Sequence, residues 1–234
     1  KVIDGPAQIS RDNAKRRVVV GANVSGRDLD GFVKEVQARV AEKIKLPSGY
    51  FFKWGGQFES MERAMETLSV IVPLTIAGIF FLLYLLFNSF KLAGLIILVL
   101  PFASIGGVIS LFITGEYLSV PASVGFIALW GISVLNGVVL ISYIKKLRNE
   151  GMDVASAIVQ GCSQRFRPVL MTATVAMFAL VPFLFATGPG SEVQRPLAIV
   201  VTGGLITSTI LTLIVLPVLY RWFDDHQIIE NNLP

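Results

Sequence analysis

The sequence predicts a mainly α-helical membrane protein: five transmembrane helices preceded by a small α+β piece of the split βαβ type. Three observations carry that prediction. Of the 234 residues, 53% are hydrophobic and only 15% charged, with a mean hydropathy of +0.68, against roughly a quarter charged in soluble domains. The charges are also unevenly placed: residues 1–66 hold 12 of the 20 Lys+Arg and 9 of the 16 Asp+Glu. Five runs of 20–25 residues without a formal charge then follow, at 67–87, 92–113, 120–144, 168–187 and 196–220. Each is long enough for a helix to cross a hydrocarbon core of roughly 30 Å. This composition excludes intrinsic disorder and argues against a water-soluble enzyme. One cysteine, Cys162, cannot form an internal disulfide, and one histidine, His226, cannot build a zinc site alone. No cofactor, no nucleic-acid partner, no catalytic group and no metal ligand is expected from this chain; membrane lipid is.

In chain order, the valine-rich residues 17–24 read as a strand. Residues 26–45 place Leu29, Phe32, Val33, Val36, Val40 and Ile44 on one helix face. Leu46, Pro47, Ser48 and Gly49 break that helix, and residues 50–54 read as a second strand. Strand, helix, strand is half of a split βαβ sandwich, too small to bury its own core, so partner strands are expected from elsewhere. Residues 57–66 look helical and lead into the first span. Glu59, Glu62 and Glu66 form an acidic stripe at i, i+3 and i+7. It would attract cations, although a solvated helix face is the simpler reading. Met61 and Met65 at i, i+4 would suit a soft metal, but two thioethers without a third ligand more often fill gaps.

The spans differ in what they offer. In the third, small residues at Gly125, Ala128, Gly131, Ser133 and Gly137 permit close helix approach, and Asn136 brings an amide near the bilayer midplane. A buried amide must hydrogen-bond, so this helix is expected at the centre of the bundle, with helix–helix glue and a transport role both open. The fourth span is expected to start at Pro168, a good first-turn residue. Arg165 and Thr172, seven apart, share a helix face there; Arg165 serves either as an orientation signal or as a counter-charge to a carboxylate on another helix. Residues 152–164, with Val154, Ile158 and Cys162 at i, i+4 and i+8, read as a short interfacial helix. In the fifth span Thr202, Thr207, Ser208, Thr209 and Thr212 supply hydroxyls, for most of which packing is the simpler role. Tyr117, Tyr143, Tyr220 and Trp222 lie near run ends, where an aromatic belt would place them.

Loop charges give the orientation. Residues 145–167 carry Lys145, Lys146, Arg148, Arg165 and Arg167, whereas 114–119 carries no base and 188–195 only Arg195. Short loops rich in Lys and Arg stay in the cytoplasm. The 145–167 loop, residues 88–91 and the tail 224–234 are therefore expected there, and residues 1–66 on the other side. Lys1 opens no signal peptide, so the chain reads as the C-terminal piece of a longer polypeptide. No Asp, Glu, Lys or Arg lies inside any run, so a proton-coupled carrier would need carboxylates from helices upstream.

Several blocks carry a family resemblance. RFRPVLMTATVAMFALVPFLFATGPGSEVQRPLAIVVTGGLITSTILTLIVLPVLYRWF (165–223) resembles the last two helices of resistance–nodulation–division transporters. GPAQISRDNAKRRVVVGANVSGRDL, LPSGYFFKWGGQFES and FIALWGISVLNGVVLISYI are similar to the heavy-metal efflux branch, most of all its cobalt–zinc–cadmium type. The resemblance implies the last five helices of a twelve-helix, inner-membrane, homotrimeric antiporter. Such a pump exports divalent cations (the Zn, Co, Cd and Ni class) from the periplasm or cytoplasm, through a periplasmic adaptor and an outer-membrane channel. It also implies that residues 1–66 close a periplasmic porter subdomain, and that residues 67–223 form the membrane domain. Multidrug relatives carry a relay lysine on the third of these spans; that position is Leu135 here, with Asn136 retained beside it, and the relay arginine and threonine match Arg165 and Thr172. Leucine at 135 also departs from the glutamate of the copper/silver branch. A copper/silver or multidrug pump, or a non-transporting scaffold or sensor of the same fold, remain the alternatives.

The chain is expected to stay in solution only with detergent or lipid. A monodisperse species in plain buffer, with no affinity for vesicles, would contradict the fold class.

Overall fold

A computed structural model describes residues 10–12, 15–24, 29–188 and 190–223. The expected helix start over 26–28, His226 and the tail 224–234 lie outside them. The elements in order are β1 (Ser10–Asp12), β2 (Lys15–Arg17), α1 (Leu29–Lys43), α2 (Gln57–Phe87), α3 (Phe90–Thr114), α4 (Val120–Asn149), α5 (Val154–Leu184) and α6 (Ser191–Phe223). Five of them, α2 to α6, are long and apolar enough to cross a membrane. The chain divides into two compact units, with the boundary between Glu59 and Ser60 inside α2.

The first unit holds a small antiparallel hairpin in which Ser10 pairs with Arg17, Arg11 with Arg16 and Asp12 with Lys15. Asp12 also sits 3.9 Å from Arg17 and 3.8 Å from Lys53, and the Lys15 ammonium lies over the Phe51 ring. The strands expected at 17–24 and 50–54 are not formed: only Arg17 joins a ladder, and the βαβ order is replaced by a hairpin followed by α1. A strand is stabilised by its cross-strand neighbours, and the valines at 18–20 have none among the described residues. They stay exposed, Val18 and Val20 each at 92%. Helix α1 likewise buries no residue, and its exposed face is laced by Lys34–Asp30 and Arg39–Glu35 pairs at i, i+4.

In the second unit α6 is the hub. It packs against α3, α4 and α5, and half of its apolar window is buried. Lipid tails are as apolar as leucine, so helices associate in a membrane through close packing and polar contacts. The α3–α6 contact is of that kind. A Cβ on Gly106 would meet the Thr207 side chain and the Gly203 carbonyl, and a Cβ on Gly203 would meet Ser110. The backbones are therefore near enough for Ser110 Oγ to donate to the Ile199 carbonyl at 2.9 Å. The pairs 106–203 and 110–199 run in opposite directions, so α3 and α6 are antiparallel. Along α4 the partners rise together: Gly125 against Leu197 and Val200, Leu129 against Gly204, and Ser133 Oγ bonded to Ser208 Oγ at 2.6 Å. Thus α4 and α6 are parallel, as two spans separated by one must be.

Three helix starts are capped by side chains: Ser89, Ser119 and Asp153 accept from Leu92, Ala122 and Ala155. Gly115 closes α3 in the left-handed region at φ 69°, its N–H returning to Leu111 and Phe112 carbonyls. Helix α2 buries only Leu83 and Phe87. Its end is held by Lys145 of α4, which donates to the Phe87 carbonyl at 2.6 Å, a cation at a helix C-terminus.

Three further expectations are corrected. The helix of the fourth span does not begin at Pro168, and residues 152–164 are not a separate interfacial helix: α5 runs unbroken from Val154, with Pro168 inside it. A proline in a helix interior costs roughly 3 kcal/mol. Here the Asp153 cap and the packing of Ala157 and Gly161 onto α4, where a Cβ on Gly161 would meet Ile144, carry the helix through. The segment 145–167 is accordingly helical except for residues 150–153. Tyr220 is no belt residue either. It is 2% exposed, in one buried cluster with Leu92, Ile144 and Leu216, because the hub helix turns this face toward α3 and α4.

Gly106→Leu should destabilise the detergent-solubilised protein by about 1–3 kcal/mol through overpacking, read as a lowered unfolding temperature. Gly131→Ala, with nothing within 4 Å of its Cβ position, should leave that temperature unchanged or raised. A double-mutant cycle on Ser133→Ala and Ser208→Ala should give a coupling of about 0.6 kcal/mol, the average for membrane side-chain hydrogen bonds, and no more than about 1.7; independent effects would mean the two hydroxyls do not share a proton.

Candidate functional site

The polar groups of the bundle fall into three sets. The first is the α4–α6 and α3–α4 seam: the Ser133–Ser208 bond, and Trp130 of α4, whose Nε1 donates to Ser104 Oγ of α3 at 2.7 Å. Ser104 and Ser133 pass their own protons to the carbonyls of Leu100 and Leu129. These bonds run from side chain to side chain and on to backbone, so each buried donor is used.

The second set is polar and buried. Asn136 is 7% exposed on α4, one turn beyond Ser133. On the hub helix Thr202, Thr209 and Thr212 bury their hydroxyl oxygens without a hydrogen-bond partner among the described residues. Threonine in a helix commonly bonds the carbonyl one turn back, as Thr75 and Thr174 do here; these three do not.

The third set surrounds Arg165. Its guanidinium carbon lies 4.9 Å from the centre of the Tyr143 ring of α4, within cation–π range. Its Nε is buried without a hydrogen bond, and no ion pair involves it among the described residues. The Tyr143 hydroxyl donates to Gln164 Oε1 at 2.7 Å. A guanidinium on an aromatic face is worth about 0.5–2 kcal/mol, rising with desolvation, without the neutralisation a carboxylate would bring. Thr172, two turns along α5, is exposed and returns its proton to the Val169 carbonyl. Leu135 is 62% exposed on the opposite side of α4 from the buried Asn136 and Gly137.

No hydrogen bond or ion pair joins Arg165, Thr172 and Asn136 to one another among the described residues; each is placed on the bundle separately. Of the glycines read as packing positions, Gly125 lies 3.1 Å (Cβ position) from the Leu197 carbonyl and Gly137 3.4 Å from Ile96, whereas Gly131 meets open space. The tightest approaches, at Gly106, Gly203 and Gly204, escaped the reading of the third span alone. Their signal is the pair of Gly-Gly steps, 106–107 and 203–204. Met65 Sδ lies 4.0 Å from Ser123 Oγ, a packing contact with α4. Arg195, the lone base of 188–195, sits in the first turns of α6 and pairs with Glu116 at 3.4 Å, tying the start of α6 to the α3–α4 connection. A groove of about 310 Å³ between α5 and α6 is lined by Cys162, Ser163, Phe166, Leu213 and Ile214 and contains no charged group.

Comparison with known proteins gives this arrangement a context. The model of the AcrB/AcrD/AcrF family matches residues 1–224. The chain is 52% identical to the cobalt-zinc-cadmium resistance protein CzcA of Cupriavidus metallidurans over 217 residues, 93% of this chain and 20% of that protein. It is 50% identical to the nickel and cobalt resistance protein CnrA of the same organism, over 92% of this chain and 20% of CnrA. A crystal structure of a heavy metal efflux pump (crystal form II) superposes with a TM-score of 0.74 at 44% identity, covering 86% of this chain and 20% of that one. The chain thus spans about a fifth of the length of the relatives it matches. With a family match across nearly its whole length and a five-helix bundle of the same fold, the chain belongs to the AcrB/AcrD/AcrF family of resistance–nodulation–division transporters.

Proposed function

We propose that this segment is the C-terminal part of a proton-driven antiporter exporting divalent heavy-metal cations of the Zn, Co, Cd and Ni class. The observation that carries the reading is the identity of about half its residues with proteins named for cobalt, zinc, cadmium and nickel resistance. Leucine at 135, in place of a relay lysine or glutamate, supports the divalent-metal branch.

In this reading α2 to α6 are the eighth to twelfth helices of an inner-membrane homotrimer, and residues 1–66 belong to its periplasmic porter region. The Lys145, Lys146, Arg148, Arg165 and Arg167 end faces the cytoplasm, together with the C-terminus. Export proceeds through a periplasmic adaptor and an outer-membrane channel. The membrane carboxylates that take up protons lie on helices of the remaining polypeptide. Arg165 supplies their fixed counter-charge, and Thr172 and Asn136 are hydrogen-bonding members of the path. The exposure of Thr172 and Leu135 supports this, since both residues are available to helices that this segment does not include. An unpaired guanidinium with a buried Nε is suited to a carboxylate that is charged in one step and neutral in the next. Gly125 and Gly137 let α4 approach its neighbours, and Gly131 is available to helices beyond this segment.

Arg165→Ala in the complete pump, expressed in a metal-sensitive host, should abolish resistance to zinc, cobalt and cadmium while leaving the amount of membrane-inserted protein unchanged. Resistance at the parental level would remove Arg165 from the transport path.

A further inference from the structure

We infer that Tyr143 is the positioning residue for Arg165: its ring holds the guanidinium at the α4–α5 contact without neutralising it, leaving the N–H donors available to a carboxylate that arrives and departs. The inference rests on the transport role proposed above for Arg165.

The geometry is built from the backbone outward. Gly161, one turn before Arg165, has no Cβ, and a Cβ there would collide with Ile144. That close approach brings α5 against α4 at the level where Tyr143 stands beside Arg165. The ring is then fixed at two points: its face carries the guanidinium, 4.9 Å from ring centre to Cζ, and its hydroxyl donates to Gln164 Oε1, the neighbour of Arg165. Rotation of the ring away from the arginine would break that hydrogen bond.

The chemistry explains why a ring suits this position. A carboxylate partner within the chain would hold Arg165 by consuming its N–H donors and cancelling its charge. An aromatic face attracts the cation through the ring quadrupole and uses none of the donors. Arg165 accordingly keeps a buried Nε with no hydrogen bond and has no ion pair among the described residues. The guanidinium is oriented but unspent. Tyr143 meets Arg165 and Gln164 and acts through Arg165.

The test uses the complete trimeric pump in proteoliposomes, with Zn²⁺ flux driven by a pH gradient. Tyr143→Leu should lower the maximal rate about tenfold while the half-saturating Zn²⁺ concentration stays within about twofold, and Tyr143→Phe, which keeps the ring, should retain the rate within about twofold. Tyr143→Met, also without a ring, repeats the measurement should the leucine variant fail to assemble. Full rate in a ringless variant alongside an inactive Arg165→Ala would overturn the positioning role and leave the reading of Arg165 standing. Full rate in Arg165→Ala would overturn both. Equal losses in Tyr143→Phe and Tyr143→Leu would also overturn it, since the hydroxyl rather than the ring would then be what matters.

Discussion

The contact between α3 and α6 at Gly106 and Gly203 is the constraint on which the bundle depends. In hydrocarbon no hydrophobic gain distinguishes a leucine packed on a helix from one packed on lipid. Association must come from backbones that approach closely enough to gain dispersion contacts and hydrogen bonds. Two glycines facing each other give that approach, and Ser110 uses it to reach the Ile199 carbonyl across the interface. With α6 anchored to α3, its other faces are presented to α4 and α5, and the parallel α4–α6 seam with its serine pair follows.

The polar groups then divide by whether the bundle itself satisfies them. Serines and Trp130 along the seams are paired inside the chain and specify how the helices lie against one another. Arg165, Thr202, Thr209 and Thr212 keep buried polar atoms that the described residues leave without hydrogen bonds. An unsatisfied polar atom in a low-dielectric interior is costly, and in a transporter such sites mark where ions, water or partner helices enter the arrangement. The chain spans only a fifth of its relatives' length.

Much of this was legible in the residues. Five charge-free runs fix the spans because lipid admits only backbones that satisfy themselves, and the basic cluster from Lys145 to Arg167 stands at a single end of the bundle. Family likeness was legible from long blocks around Arg165 and Asn136. The α5 boundary was misread, because Pro168 looks like a helix start locally, whereas Gly161 packed on Ile144 keeps the helix going. The expected strands at 17–24 and 50–54 failed for the complementary reason: β-propensity is realised only against a paired neighbour. Tyr220, read as a belt residue from its position at the end of a run, is buried in the bundle.

What the sequence determined alone is local: which segments must be helical, how many cross, and which residue types are available at each depth. These follow from solvation of the backbone and side chains, and need no knowledge of neighbours. What only the tertiary structure decided is pairing. Which glycine meets which helix, which hydroxyl finds a partner, and which ring lies under the one half-buried arginine of α5 depend on residues far apart in sequence. Those pairings are set by the relative rotation and offset of helices, which no periodicity within a single run encodes.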